Sequence, residues 1–184
     1  AFAPVAEEAS AAPACANGLL MLPYFSGERT PLHDPLAKGA FYGLNLTHRR
    51  GDMYRALLEG IAMGSAHVID CYRDVGHAPG RVMAVGGGTK NAVWLQSTSD
   101  FGGVAQILCD KTLGASYGNA FLAAMAVGLA DPADIDRWNP AVRRVDPAGG
   151  PGHHRHYDLF PKLYNHTRDI AHAHGCRGAI ADGP

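Results

Sequence analysis

Seven positions, Met53, Leu57, Ile61, Gly64, Val68, Tyr72 and Val75, recur at three- and four-residue spacing, which predicts one long helix with a single buried stripe. Such a helix has to be covered, and the segments around it say by what. Residues 18–25 are a short apolar run that reads as a strand until Pro23 removes a backbone donor, and residues 39–44 alternate as a second strand. Residues 82–85 and 104–108 are two more apolar runs, too short for helices. Residues 114–128 are helical again, with Thr112 as the expected cap, and are apolar on nearly every side, which predicts deep burial. The order strand, helix, strand, helix, strand implies a mostly parallel sheet with crossover helices. A chain of 184 residues that is 47% hydrophobic has the material for such a core.

A ligand site is expected in the stretch Arg-Val-Met-Ala-Val-Gly-Gly-Gly-Thr-Lys-Asn at residues 81–91. Gly86, Gly87 and Gly88 carry no Cβ, so the backbone there tolerates positive φ and a bulky group lying against it. The helix pattern that resumes at Asn91 puts free N–H groups and a helix dipole next to them. Strand, glycine turn and helix start together form a cradle for a nucleotide. The same three glycines also suit a tight turn without a ligand, and their spacing matches neither the Walker pattern nor Gly-x-Gly-x-x-Gly.

A formal charge of −1, with Lys and Arg scattered, gives no footprint for nucleic acid or an anionic membrane. No apolar run reaches the roughly 18 residues of a membrane span. Cys15, Cys71, Cys109 and Cys176 show neither a Cys-x-x-Cys pair nor metal-ligand spacing, which points to free thiols in a reducing cytoplasm. Residues 1–17, alanine-rich with prolines at 4 and 13, read as a ragged segment before a domain at 18–175. Within it, 131–152 read as a surface connection. His153, His154 and His156 follow Gly149-Gly150-Pro151-Gly152 and read as a solvated loop, with no metal site assigned. Tyr157, Phe160, Leu163, Tyr164 and Ile170 suit a terminal helix docked on the body, and 176–184 read as a loose tail.

Gly39-Ala-Phe-Tyr-Gly43-Leu44, seven residues, then Asp52-Met-Tyr-Arg-Ala56-Leu57-Leu58-Glu59 resembles the second signature of the FGGY family of carbohydrate kinases. Leu-Pro-Tyr-Phe-Ser-Gly-Glu-Arg-Thr-Pro at 22–31 is similar to the xylulokinase branch. The Gly-Gly-Gly-Thr-Lys-Asn turn resembles that branch's adenosine-binding loop, and Leu-Gly-Ala-Ser-Tyr-Gly at 113–118 the small-residue start of the following helix. Thr89 departs from the alanine common there, and Ser116-Tyr117 from a smaller pair. The resemblance implies an α/β, ribonuclease H-like (actin-like ATPase) domain, here incomplete, with a mostly parallel sheet and flanking helices. It implies ATP and Mg2+ as cofactors, Gly86, Gly87, Gly88 and Asn91 as adenosine contacts, and a sugar or polyol as substrate of the whole enzyme. It also implies an N-terminal kinase domain that carries the catalytic aspartate; no aspartate here stands in the matching motif, so no catalytic residue is assigned and the chain alone is expected to be inactive. The alternative is a stand-alone, non-catalytic actin-like module with a binding or regulatory role.

Overall fold

The computed structural model describes residues 3–112 and 114–175. Its first element is a helix, α1 (Ala3–Ala11), where a ragged segment was expected. The prolines fit this: Pro4 lies in the first turn, where a missing N–H costs nothing, and Pro13 lies past the end. Ala9 is fully buried, and the Arg55 guanidinium donates to the Ala12 carbonyl at 2.8 Å, so α1 is tied to the body. Cys15, Ala16, Asn17 and Gly18 then run with φ of 62, 44, 56 and 85°, a left-handed turn that disfavours side chains. Two contacts hold it: Glu59 accepts the Cys15 N–H at 3.0 Å, and the Asn17 amide donates to Asp52 at 2.7 Å.

Strands β1 (Leu20–Leu22) and β2 (Ala40–Tyr42) pair antiparallel, with Met21 opposite Phe41 and all of β1 buried. Helix α2 (Arg50–Asp74) follows, its start satisfied by Asp52, which accepts the Arg49 N–H at 2.7 Å. The buried face of α2 is rotated from the stripe read in the sequence. Met53, Tyr72 and Val75 are exposed, Leu57 and Ile61 are half-buried, and beyond the first turn the buried positions are Ala56, Leu58, Glu59, Gly60, Ala62, Met63, Ala66 and Ile69. Small residues bury there because neighbours come close: a Cβ on Gly60 would stand 2.5 Å from the Met21 carbonyl oxygen.

Next come β3 (Val82–Ala84), α3 (Ala92–Gly102), β4 (Gln106–Cys109), α4 (Ala115–Ala126), α5 (Ile135–Trp138), β5 (Ala141–Val145) and α6 (Pro151–Gly175). The chain is α/β, but its sheets are small and the expected mostly parallel sheet is corrected. β3 and β4 pair parallel, while β4–β5 and β1–β2 are antiparallel. β5 lies inside the stretch read as a surface connection; Arg143 and Arg144 hide its alternation, and only Val145 is buried. The expected burial of α4 is also corrected. Only Phe121 is buried, against Trp138 at 5.3 Å between ring centroids, whereas Leu122 is 61% exposed. Its cap is Gly114 (φ 71°) rather than Thr112, whose carbonyl accepts the Gly86 N–H. The read tail, 176–184, lies outside the described residues.

Helix α6 closes the core. Phe160 is fully buried against Tyr24 and Tyr157, and Leu163 and Tyr164 join it, while Ile170 stays exposed. A polar clasp backs this packing: Asp34 accepts the Tyr164 hydroxyl at 2.8 Å and the Leu36 N–H at 3.0 Å, and His172 Nε2 lies 2.8 and 2.9 Å from its oxygens. Burial alone would raise the Asp34 pKa, but hydrogen bonds from His172, Tyr164 and Leu36 outweigh it and hold the carboxyl below its usual range. A lowered folded pKa contributes stability that is present above the unfolded value of about 3.9 and lost as pH falls through the folded one. Urea denaturation between pH 5 and 3 should therefore show a steeper loss of stability in the wild type than in Asp34→Asn. Parallel acid limbs would contradict the clasp.

Candidate functional site

The Gly86–Asn91 turn is built by its own backbone. β3 delivers the chain to Gly86, whose φ of 86° and ψ of −172° belong to glycine. Its N–H donates to the Thr112 carbonyl at 3.1 Å, and its carbonyl accepts the Thr89 hydroxyl at 2.7 Å and the Thr89 N–H at 3.2 Å. Gly87–Lys90 then makes one 3-10 turn. Asn91 caps α3 in the ordinary manner, its side-chain oxygen accepting the Trp94 N–H at 3.0 Å.

These facts sort the three glycines. At Gly88 a Cβ would stand 2.9 Å from the Trp94 ring, so the indole accounts for that glycine. At Gly86 the backbone conformation does. Gly87 is exposed and a Cβ there would meet nothing within 4 Å, so neither folding constraint explains it. It borders a cleft of about 430 Å³ lined by Lys90, Asn91, Ala92 and Val93 on one side and Glu7 and Tyr54 on the other. Ala92 and Val93 are the first residues of α3, where a helix leaves N–H groups without intrahelical acceptors and carries the positive end of its dipole. Lys90 adds a cation. The cleft thus combines a bare backbone, helix N–H groups, the Lys90 ammonium and the Glu7 carboxylate, a chemistry suited to a polar group.

Of the four residues singled out in the sequence, Gly87 and Asn91 line this cleft and Gly86 sits at its hinge. Gly88 faces away, toward Trp94 and a second cleft. Glu7 and Tyr54 were missed: no spacing links them to residue 87, since they arrive on α1 and α2. His153, His154 and His156 are on the first turns of α6, not on a solvated loop, because Pro151 opens a helix as readily as it breaks one. His156 is buried, and burial, then His153, lower its pKa, which keeps the ring neutral inside the core. Among the described residues no three His, Cys, Asp or Glu side chains are gathered to hold a metal ion, and no helix is long and apolar enough to cross a membrane.

Comparison with known proteins shows what the chain as a whole is similar to. Residues 2–127 match the model of the FGGY family of carbohydrate kinases, C-terminal domain. The xylulose kinase of Bacillus subtilis is 32% identical over 178 residues, which cover 92% of this chain and 35% of that protein. A gluconokinase of the same organism is 33% identical over 124 residues, covering 67% of this chain and 23% of its own length. The crystal structure of xylulose kinase from Rhodospirillum rubrum superposes with a TM-score of 0.78 at 34% identity, over 93% of this chain and 35% of that one. The chain therefore spans about a third of the length of its xylulose kinase relatives. With its second signature, its glycine turn and its fold all in one frame, the chain belongs to the FGGY family of carbohydrate kinases and is xylulokinase-like, matching that family's C-terminal domain over residues 2–127.

Proposed function

We propose that the Gly86–Asn91 turn is the adenosine-side grip of an ATP-dependent sugar kinase. The domain then belongs to a ribonuclease H-like, actin-like ATPase architecture, and the whole enzyme transfers the γ-phosphoryl of Mg-ATP to xylulose or a related ketose or polyol. The observation that carries this reading is Gly87: an open, unstrained glycine beside the N-terminus of α3, which packing does not require. Gly86 and Asn91 hold the turn in shape, Gly88 lets Trp94 close its back, and Gly87 leaves room for the nucleoside. No residue of this chain is assigned to Mg2+, which enters with the phosphates.

Gly87→Val is a clean test because its Cβ meets no protein atom. Folding stability should change by less than about 0.5 kcal/mol. Calorimetry on the full-length kinase should show ADP and ATP bound about tenfold more weakly or worse, a loss of at least ~1.4 kcal/mol. Equal affinity in wild type and variant would remove the turn from the nucleotide site.

Phosphoryl transfer also needs a base within hydrogen-bond reach of the acceptor hydroxyl and donors around the transferring group. No aspartate in this chain stands in the family's catalytic motif, so the chain by itself transfers no phosphate. ADP release with Mg-ATP and a panel of ketoses and polyols should stay at background for the chain alone. Sugar-dependent turnover would favour a self-sufficient site.

A further inference from the structure

Tyr54 has no evident place in the packing of the domain. It is half-buried on α2, yet among the described residues it joins none of the buried apolar clusters and pairs with no aromatic ring. Its position follows from the start of α2. A Cβ on Gly51 would stand 2.6 Å from the Glu8 carbonyl oxygen, so this end of α2 lies directly against α1, and Tyr54, three residues on, shares that face. There it lines the cleft of about 430 Å³ across from the glycine turn, beside Glu7 and Ser10, which share one face of α1.

The two sides of the cleft complement each other. Gly87 leaves one of them without a side chain and Tyr54 gives the other an aromatic ring, which together suit a flat group. The polar groups say which flat group. Glu8 is paired with Arg50, but its neighbour Glu7 has no partner among the described residues, and neither has the Ser10 hydroxyl. A carboxylate repels phosphate and accepts hydrogen bonds, so the phosphates of a nucleotide belong on the Lys90 side and its base beside α1. This wall is firm: Ala9 is fully buried and the Ala12 carbonyl accepts the Arg55 guanidinium at 2.8 Å, so α1 can hold a reading group in place.

We propose that Tyr54, Glu7 and Ser10 form the base-reading wall of this cleft and make it selective for adenine. The Tyr54 ring stacks on the purine, the Glu7 carboxylate accepts from the exocyclic amine, and the Ser10 hydroxyl donates to the ring nitrogen next to that amine. Guanine carries a carbonyl oxygen where adenine carries its amine, and that oxygen facing a carboxylate sets two acceptors against each other. The inference rests on the nucleotide reading of the Gly86–Asn91 turn and adds to it the residues that choose the base.

The test is calorimetry of ADP and GDP binding to the full-length kinase, with thermal denaturation of each variant as the control for folding. Wild type should bind ADP at least about tenfold more tightly than GDP. Tyr54→Ala should weaken ADP about tenfold, the loss of one stacked base, while Tyr54→Phe keeps the wild-type affinity. Glu7→Gln, at an exposed position where folding is not at stake, should shrink the ADP-to-GDP ratio about tenfold, because an amide can donate to the guanine oxygen. A purely structural role for Glu7 would weaken both nucleotides equally and leave that ratio alone. The proposal is overturned by a wild type that binds the two nucleotides alike, by a ratio unchanged in Glu7→Gln, or by ADP affinity unchanged in Tyr54→Ala. Gly87→Val separates the two readings: if it too leaves ADP binding intact, the turn and the wall fail together, and if it alone weakens ADP, only the wall fails.

Discussion

Arg55→Ala is expected to cost about 3–5 kcal/mol of folding stability, far more than removal of a surface ion pair. Arg55 Nε donates to Glu59 at 2.8 Å, one turn apart on α2, with the two side chains 15% and 1% exposed. Glu59 is the more demanding partner. Burial pushes its pKa up, while Arg55 and the Cys15 N–H pull it down without cancelling the shift, and its second oxygen has no hydrogen-bond partner among the described residues. Without the guanidinium a buried carboxylate stands almost alone, the Ala12 carbonyl loses its donor, and the left-handed turn at 15–18 loses its orientation. The pH dependence identifies the cause. A carboxyl whose folded pKa rises is relieved by protonation, so the deficit should be greatest near neutrality and shrink as pH falls toward the carboxyl range. Urea denaturation of both proteins at pH 7 and pH 5 measures this. A deficit below about 1 kcal/mol, or one independent of pH, would mean that water already solvates Glu59.

Phe160→Ala should cost a further large amount, about 3–5 kcal/mol, the usual range for emptying a buried aromatic site. Phe160 is fully buried, edge-on to Tyr24 at 6.0 Å and stacked with Tyr157 at 6.5 Å. It lies on α6, beyond the residues 2–127 that match the family model, so a large loss would establish α6 as part of the domain's core. Thermal denaturation of wild type and variant is sufficient. A drop of a degree or two would mean instead that α6 is an appendage and that Tyr24 finds cover elsewhere.

Local patterns made much of this fold legible. The runs at 82–85 and 104–108 became β3 and β4 because short apolar segments closed by glycine or a charge have few other uses. The long helix was legible as a helix, yet its inward face was not. Periodicity ranks side chains by hydrophobicity, while the fold buries Gly60 because the Met21 carbonyl comes close to it, a property of three-dimensional approach that no spacing encodes. α4 failed in the opposite sense: its apolar sequence says that it needs cover, not that these residues supply it. At the site, the glycine turn stood out in the sequence, but one glycine answers to backbone geometry, one to an indole, and only Gly87 is open. Which was which depended on where Trp94 points. Tyr54 and Glu7 reach the cleft through helix packing and left no mark near residue 87.

The Asp34 clasp also governs when the chain can finish folding. His172 is separated from Asp34 by 138 residues, so this contact closes a long loop. Contacts of that span form late, because the entropy of closing the loop is spent before the contact returns anything. During synthesis the delay is physical as well: at about 5–20 residues per second, a ribosome needs roughly 7–28 s between making Asp34 and making its partner. For that interval Tyr24, Leu22 and Met63 wait without the aromatic face of α6, and the nascent chain exposes the surface that Phe160 will cover. Chaperone dependence of this domain should thus centre on its last 25-residue helix, and a stop codon placed just before Pro151 should yield a protein that aggregates as it is made.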